Sequence, residues 1–584
     1  MRKEERLVQL MTPEGEALAR DLTVTPWEEY PRPHMERESY FTLNGAWEFS
    51  EVIDGETPEY RESIRVPFVP ESVLSGIGRR MKRGAMLCYR KKFSLPQEFV
   101  RDRVLLQIGA ADQIARVVLN GTRMGTHVGG YEPFSFDITD ALQAENVLEI
   151  FVTDELDTHV LPYGKQREDR GGMWYTPVSG IWQSVWLESV PKHYITAVSV
   201  TARDHTARIC VEMNEGSAEG EIALIREGGE DLFLPLRNGR AEICLEEPHL
   251  WSPEDPYLYR FAVRAGEDTV RSYFAFRTVE IKEVGGKARI CLNGKPYFFH
   301  GLLDQGYFPD GIFLPAAPSG YERDILAAKK FGFNMLRKHI KVEPECFYYA
   351  CDRLGMVVFQ DMVNNGDYRF FRDTVLPTVG IRRMPDKMMH RDGETRAAFL
   401  AGMEGTVRTL SHHPSVCYWT IFNEGWGQFD HASAYNRLRE LDPTRPIDST
   451  SGWFSPLRQK DACSDVESLH VYFKPFKMKV GKKPIVLSEF GGYSYKVEGH
   501  CFNLVKNYGY RTLRDQKSFM DAFEALYREQ ILPAVGEGLC ATVYTQLTDV
   551  EDETNGILTY DRRVEKVDQK RMLAIAEKLL EPIE

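Results

Sequence analysis

Two glutamates stand at the ends of two apolar stretches of the chain. In VCYWTIFNEG (residues 416–425) the apolar run ends in Asn423 and Glu424, and in IVLSEFGG (485–492) it delivers Glu489 before two glycines. Both runs are typical of strands buried on both faces. A buried carboxylate is costly unless a site uses it. Two such strands predict the carboxylate pair that a double-displacement glycosidase requires.

The elements that must position this pair begin near Gly285, where strand-like and helix-like patterns start to alternate. Alternation of this kind is typical of a parallel sheet. Eight such units over the C-terminal half predict a (β/α)8 TIM barrel. The predicted strands span residues 297–303, 333–340, 356–361, 416–423, 447–450, 468–472, 485–490 and 540–547.

Helix boundaries can also be predicted between these strands. Ser319 and Glu322 have the spacing of a capping box, so we expect a helix to begin there and to stop at Gly332. A second helix is expected to start at Pro344 and to stop at Gly355.

Reacting groups of a TIM barrel lie at the C-terminal ends of its strands. Polar residues at those ends are therefore candidate substrate-binding residues. Besides the two glutamates they are Asp304, Arg337, His339, Asp361, Asn423, His470, Tyr472, Tyr544 and Gln546. Trp453 is a candidate platform for a sugar face.

The N-terminal half shows short strand patterns separated by turn signals. We expect an arm over residues 1–38, irregular where Pro26, Pro31 and Pro33 occur. A jelly-roll β-sandwich over 39–191 and an immunoglobulin-like β-sandwich over 192–281 are predicted to follow, with the barrel over 282–584.

Composition limits the partners. The chain has 584 residues and a formal charge of −13, with 73 basic against 86 acidic side chains. Nucleic acid and anionic membranes are therefore poor partners. The first residues lack the apolar core of a signal peptide, and no stretch is apolar enough to span a bilayer. Scattered cysteines without a C-x-x-C pair indicate reduced thiols. We expect a cytoplasmic protein that acts on a small glycoside or oligosaccharide; a homo-oligomer is left open.

Several motifs resemble glycoside hydrolase family 2, the β-galactosidase, β-glucuronidase and β-mannosidase group. They are GGMWYTPVSGIWQSVWLE (171–188), FNMLRKHIKVEP, VCYWTIFNEG, ESLHVY, VLSEFGG and YTQLTDVEDETNGILTYDR. The resemblance implies that Glu424 is the acid/base and Glu489 the nucleophile. It further implies substrate contacts for Arg337, His339 and His470, and for Asp169, which would reach the site from the jelly roll.

Departures from the family pattern bear on the substrate. FQDMVNNG lacks the glutamate and histidine that hold magnesium in the large β-galactosidases, so neither a catalytic metal nor another cofactor is expected, and a structural metal is left open. The asparagine-x-lysine pair with which β-glucuronidases hold the sugar carboxylate is not evident, although Arg562 is a candidate replacement. A β-galactoside leads, while β-glucuronide, β-mannoside and arabinosyl or galactofuranosyl glycosides stay open. The alternative from another class is a non-catalytic carbohydrate-binding protein.

Overall fold

A computed structural model describes residues 5–581 except positions 54, 155, 227, 380, 382, 453–454 and 457–462. Trp453, a predicted sugar platform, lies outside the described residues. None of the ten cysteines, all within the described part, is paired in a disulfide. Among the described residues, no helix combines the length and the apolar character that crossing a membrane requires.

The first folded region is a sandwich of two antiparallel sheets, ordered β1-β12-β5-β9 and β3-β2-β4-β10-β7-β8. Its core comes from inward-facing residues such as those of β10, where buried and part-buried positions alternate. The strands are β1 Tyr40–Thr42, β2 Gly45–Val52, β3 Glu62–Val66, β4 Met86–Phe93, β5 Arg103–Ile108, β6 Ala111–Asp112, β7 Ile114–Leu119, β8 Thr122–Val128, β9 Phe134–Asp137, β10 Asn146–Thr153, β11 Gly180–Ile181 and β12 Val185–Val190.

The second region is the predicted immunoglobulin-like sandwich. A sheet ordered β13-β14-β17 faces a sheet ordered β16-β15-β18-β19, with antiparallel pairing throughout. The strands are β13 Ile195–Arg203, β14 Thr206–Met213, β15 Gly220–Leu224, β16 Leu232–Leu236, β17 Arg240–Cys244, β18 Tyr259–Ala265 and β19 Asp268–Phe274.

The N-terminal arm is more ordered than its prolines predict. It contains helix α1 Pro13–Ala19, capped by the Thr12 side chain, and a 3-10 turn over Pro33–Met35. Its side chains also bind the folded regions: the Arg37 guanidinium donates to Glu188 of the first sandwich and to Asp268 of the second. The expected irregularity was wrong only for the turn that begins at Pro33, because proline is tolerated in the first turn of a helix.

The barrel follows a small antiparallel sheet that the sequence did not predict. This sheet consists of β20 Val279–Val284, β21 Lys287–Leu292 and β22 Lys295–Pro296. Its apolar residues, among them Val279, Ile290 and Leu292, share a core with residues of the barrel strands. The sheet thereby covers apolar surface of the barrel.

The barrel strands pair in parallel in the order β28-β27-β25-β24-β23-β34-β31-β30. Those eight strands and the short additional strands are β23 Phe299–Asp304, β24 Met335–Lys338, β25 Val357–Asp361, β26 Arg383–Met384, β27 Val416–Asn423, β28 Ile447–Ser451, β29 Ser455–Pro456, β30 Glu467–Val471, β31 Ile485–Gly491, β32 Tyr493–Ser494, β33 Arg511–Thr512 and β34 Leu539–Thr545. Between β28 and β30, the Asp465 amide donates to the Ile447 carbonyl at 2.9 Å, so the barrel is nearly closed. Each predicted strand coincides with an observed one, which confirms the barrel.

Helices form an outer layer around these strands. They are α2 Ser319–Lys330, α3 Glu345–Leu354, α4 Leu376–Thr378, α5 Gly393–Leu410, α6 His431–Leu441, α7 Gln516–Leu526, α8 Leu532–Glu537 and α9 Gln569–Leu579. Helix α3 lies between Pro344 and a left-handed Gly355, as predicted. The predicted capping box was wrong, because Ser319 is already helical and the preceding Pro318 makes no side-chain cap.

Candidate active site

The two glutamates meet at the C-terminal ends of β27 and β31. A carboxylate oxygen of Glu424, one of Glu489 and a ring nitrogen of His470 all lie within 4.8 Å of one another. Glu424 follows β27 with a left-handed backbone (φ +51°), and its amide donates to the Ser451 carbonyl at 2.9 Å. Opposite walls of one barrel thus direct two carboxylates at the same small volume.

Glu489 is held by two donors. Arg337 Nη1 lies 3.2 Å from Glu489 Oε1, and the Tyr472 hydroxyl donates to Oε2 at 2.6 Å. Both donors fix the orientation of this carboxylate. The side chain of Glu489 is 6% exposed, whereas that of Glu424 is 15% exposed. Glu489 is therefore the more tightly held member of the pair.

His470 contacts both carboxylates. Its Nδ1 lies 2.8 Å from Glu424 Oε1 and 3.5 Å from Glu489 Oε2. Its Nε2 faces Arg337 Nη1 at 3.4 Å. Because a guanidinium can only donate, Nε2 must accept, and the proton of the neutral ring lies on Nδ1. This tautomer donates a hydrogen bond to Glu424.

Arg337 organises the floor of the site. Its Nε donates to Asp361 at 3.0 Å, and its Nη2 donates to the Asn423 side-chain oxygen at 2.9 Å. The latter bond leaves the amide nitrogen of Asn423 as the group that can donate to a substrate. Burial opposes the charge of Asp361, but Arg337 and His339 hold the pKa of that carboxyl below its usual value.

His339 stays neutral in this environment. Its Nδ1 lies 2.7 Å from Asp361 Oδ2. Burial lowers the pKa of His339 to about 4, and the nearby Lys165 ammonium acts in the same direction. With Nδ1–H donating to Asp361, Nε2 remains as an acceptor for a hydroxyl.

Two predicted residues lie in neighbouring polar networks instead. Asp304 accepts from Lys338 Nζ at 2.6 Å, within a group of buried charges that also includes Lys341 and Glu343. We call these four residues the strand-one cluster. Gln546 Nε2 donates to Glu553 and to Asn555, each at 2.8 Å. Neither residue has a described hydrogen bond to the two glutamates.

Tyr544 and Asp169 are placed away from the pair. Tyr544 is buried against Phe490 and Phe523, and its hydroxyl accepts from the Tyr493 amide. Asp169 is exposed, whereas the next residue, Arg170, reaches Glu551 and Asp552 in the barrel. The structure therefore does not bring these two predicted residues to the carboxylates.

Residues that the sequence did not single out complete the site. Thr545 Oγ1 lies 2.9 Å from the Tyr472 hydroxyl, and the Tyr510 ring stacks on Tyr472 with centroids 3.6 Å apart. Thr545 follows Tyr544 and faces the opposite side of the strand, so these two neighbours lie in different surroundings, Tyr544 in the core and Thr545 beside Tyr472.

A lysine from the first sandwich also reaches the mouth of the barrel. Lys165 is buried, and its Nζ lies 5.6 Å from the Tyr175 ring and 5.8 Å from the Trp426 ring. Trp426 stacks on Trp174, with centroids 5.0 Å apart. Within the described residues, the Lys165 ammonium has no hydrogen-bond acceptor. Its segment, YGKQRED, carries no pattern that predicts such a position.

Glu424, His470 and Glu489 also have the donor types of a divalent-cation site. Arg337 already places a positive charge 3.2 Å from Glu489 Oε1. A second cation would be repelled by that guanidinium. The arrangement suits acid–base and nucleophilic chemistry better than metal binding.

Three sequence models of one family match this chain in order. The model described as a galactose-binding domain-like domain of glycosyl hydrolase 2 matches residues 81–174, that described as glycosyl hydrolases family 2 matches 191–277, and the TIM barrel domain of that family matches 282–571.

Curated relatives include a β-galactosidase of Aeromonas hydrophila, 29% identical over 62% of this chain and 36% of its own length. A β-galactosidase of Thermoanaerobacter pseudethanolicus is 24% identical over 70% and 54%. The β-glucuronidase of Felis catus is 26% identical over 72% and 69%. The chain thus spans between about a third and a little over half of the two β-galactosidases.

Solved structures share the fold over nearly the whole chain. The β-D-glucuronidase of Dictyoglomus thermophilum has a TM-score of 0.71 at 20% identity, covering 94% of this chain and 98% of its own. A Ruminococcus gnavus β-glucuronidase has a TM-score of 0.74 at 19% identity, covering 95% and 100%. With three family domains matched in order and the barrel confirmed, this chain belongs to glycoside hydrolase family 2.

Proposed function

We propose that this protein is an exo-acting retaining glycosidase that removes one terminal sugar by double displacement. The observation that carries the proposal is the approach of the Glu424 and Glu489 carboxylates to within 4.8 Å. Retaining enzymes hold their two carboxyl groups about 5–5.5 Å apart, whereas inverting enzymes leave about 6.5–9.5 Å for a water molecule.

Glu489 is assigned as the nucleophile. The hydrogen bonds from Arg337 and Tyr472 hold its carboxylate in place for attack on the anomeric carbon. A bond forms between a Glu489 oxygen and the anomeric carbon while the bond to the leaving oxygen breaks. Asn423, fixed by Arg337, supplies a donor for the sugar 2-hydroxyl.

Glu424 is assigned as the acid/base. In the first step its carboxylic acid gives a proton to the leaving oxygen. In the second step its carboxylate takes a proton from the water that attacks the glycosyl-enzyme. Its greater exposure suits a group that must meet both the leaving group and water. His470 positions it through the 2.8 Å contact.

A β-galactoside is the leading substrate, since curated relatives named β-galactosidase align with this chain. A β-glucuronide is the second candidate, because the buried Lys165 places a cation at the barrel mouth. Among the described residues this ammonium has no hydrogen-bond acceptor, so it could bind the carboxylate of the sugar. Arg562 does not fill that role, since it is engaged with Asp324 at 3.1 Å. A non-catalytic carbohydrate-binding protein would not require two carboxylates so close together.

A panel of nitrophenyl β-glycosides at neutral pH tests the proposal. The galactoside should be hydrolysed fastest, and proton NMR should show the β-anomer of the sugar as the first product. Initial release of the α-anomer would overturn the retaining assignment. A preference of tenfold or more for the glucuronide would leave the proposed mechanism unchanged and would make a β-glucuronide, in place of a β-galactoside, the proposed substrate. Binding of sugars without turnover of any glycoside would support the alternative from another class.

A further inference from the structure

A second group of metal-ligand side chains lies where the N-terminal arm meets the helical layer of the barrel. His34 belongs to the 3-10 turn Pro33–Met35, Glu345 is the first residue of α3, and His412 lies between α5 and β27. One ligand atom from each residue lies within 4.8 Å of the other two. Three distant parts of the chain therefore bring two imidazoles and a carboxylate together.

One ligand atom of this group lacks a partner. His34 Nδ1, Glu345 Oε2 and His412 Nε2 are each inaccessible to solvent; the first two form a close ion pair, whereas His412 Nε2 makes no hydrogen bond within the described residues. His34 Nδ1 lies against Glu345 Oε2, and the His34 and His412 rings stack with centroids 3.8 Å apart. Buried polar atoms are almost always satisfied, so the unpartnered His412 Nε2 beside this ion pair points to a missing ion or water.

We propose that His34, Glu345 and His412 bind a Zn²⁺ ion that fastens the N-terminal arm to the barrel. Two imidazoles and a carboxylate are a donor set that zinc accepts, at about 2.0–2.2 Å from each ligand atom. Ligand atoms around a tetrahedral ion of that size lie about 3.3 Å apart. His34 Nδ1 and Glu345 Oε2 lie closer together than that and must separate to admit the ion. The rings must open from their stack so that both lone pairs face the ion.

The position of the site gives the ion a structural role. Close to His34 in the chain, Arg32 and Arg37 both pair with buried Glu188 of the first sandwich, and Arg37 also pairs with Asp268 of the second. An ion on His34 adds the barrel to this junction through Glu345 and His412. Zinc would then link the arm to all three folded regions and stabilise the native state in proportion to its affinity.

This inference concerns residues outside the proposed catalytic group and does not depend on the reaction. The sequence-based expectation of no metal concerned the catalytic site and left a structural ion open. The competing arrangement is an ion pair between His34 and Glu345 with His412 stacked against it. The two arrangements differ in one measurable quantity, which is the zinc content of the purified chain.

The test uses the full chain, stripped with a chelator, reloaded with Zn²⁺ alone and desalted. We expect one zinc per chain by mass spectrometry of the metal, and a melting temperature at least about 3 °C higher than that of the stripped protein. His412→Asn and Glu345→Gln should lose the zinc and the temperature shift. His249→Asn is the matched control, since that imidazole pairs with Asp255 on the surface, and it should retain both.

Zinc that stays below a tenth of an equivalent, or a stripped wild-type chain that melts at the same temperature with and without zinc, would overturn the proposal. Equal zinc in wild type and in His412→Asn would assign the ion to another place, such as the catalytic carboxylates, and would also overturn it. Should His412→Asn fail to fold, Glu345→Gln decides by the same comparison with the wild type. Glycosidase activity of the stripped chain tests the proposed function separately.

Discussion

Two buried groups of charged residues lie near the C-terminal ends of the barrel strands, and they differ in how completely their charges are paired. In the strand-one cluster, Lys338 and Lys341 face Asp304 and Glu343, and each lysine donates to at least one carboxylate at 3.0 Å or less. In the catalytic group, Asp361 and Glu489 share the guanidinium of Arg337, while Glu424 lies 2.8 Å from a ring nitrogen of His470.

The difference separates a structural network from a reactive one. The strand-one cluster balances two cations against two anions, and its remaining bonds go to groups such as the Tyr321 hydroxyl and the Gly306 carbonyl. In the catalytic group, the described contacts of Arg337 place one guanidinium against two carboxylates, those of Asp361 and Glu489. A buried charged cluster is therefore evidence for function only when its charges are left incompletely paired.

The largest effect is expected from a substitution in the catalytic group. Glu489→Ala should lower kcat for aryl glycosides on the order of 10⁴-fold or more, because no covalent intermediate can form. Added azide should restore part of the rate and give the glycosyl azide of inverted configuration. The folded structure should persist, since Arg337 keeps its bond to Asp361. Turnover within tenfold of wild type would remove Glu489 from the nucleophile role.

A smaller effect is expected from a substitution in the strand-one cluster, where the charges are paired. Lys338→Met leaves Asp304 and Glu343 short of a cation in a fully buried position. The free energy of unfolding should fall by about 3–5 kcal/mol, since breaking a buried ion pair from one side leaves an uncompensated charge. Denaturant unfolding measures this loss. The folded fraction should retain kcat within tenfold; a loss comparable to that of Glu489→Ala would mean that this cluster belongs to the active site.

The smallest effect is expected from a substitution of Lys165, where the first sandwich meets the barrel. Lys165→Met should raise KM about tenfold with little change in kcat, if the ammonium binds a polar group of the sugar equally in ground and transition states. Against a glucuronide the increase should be larger than against a galactoside. Lys92→Met, at a 67% exposed position of the same sandwich, is the control and should change neither value. An unaltered KM for both sugars would exclude Lys165 from the site.

The sequence predicts strongly patterned features well. All eight barrel strands follow from apolar runs and turn signals, and the polar residues after them include Arg337, His470 and Tyr472, which contact the pair. These predictions succeed because strand ends converge on one rim regardless of side-chain detail.

The sequence does not predict to which side of a strand an individual side chain points. Tyr544 packs in the core while Thr545 reaches Tyr472, because successive strand residues point to opposite sides. In β31 the pairing register also shifts near Glu489. The position of Glu489 along the strand therefore does not determine to which side its carboxylate points. Lys165 could not be predicted, since its approach to His339 depends on how the first sandwich docks against the barrel.

The most direct test of the central claim is to trap the covalent intermediate. A 2-deoxy-2-fluoro glycoside of the preferred sugar, carrying a good leaving group, should inactivate the enzyme with release of one equivalent of that group. Peptide mass spectrometry should then locate the fluorosugar on Glu489. Attachment to Glu424, or complete turnover with no adduct and release of an inverted product, would contradict the account.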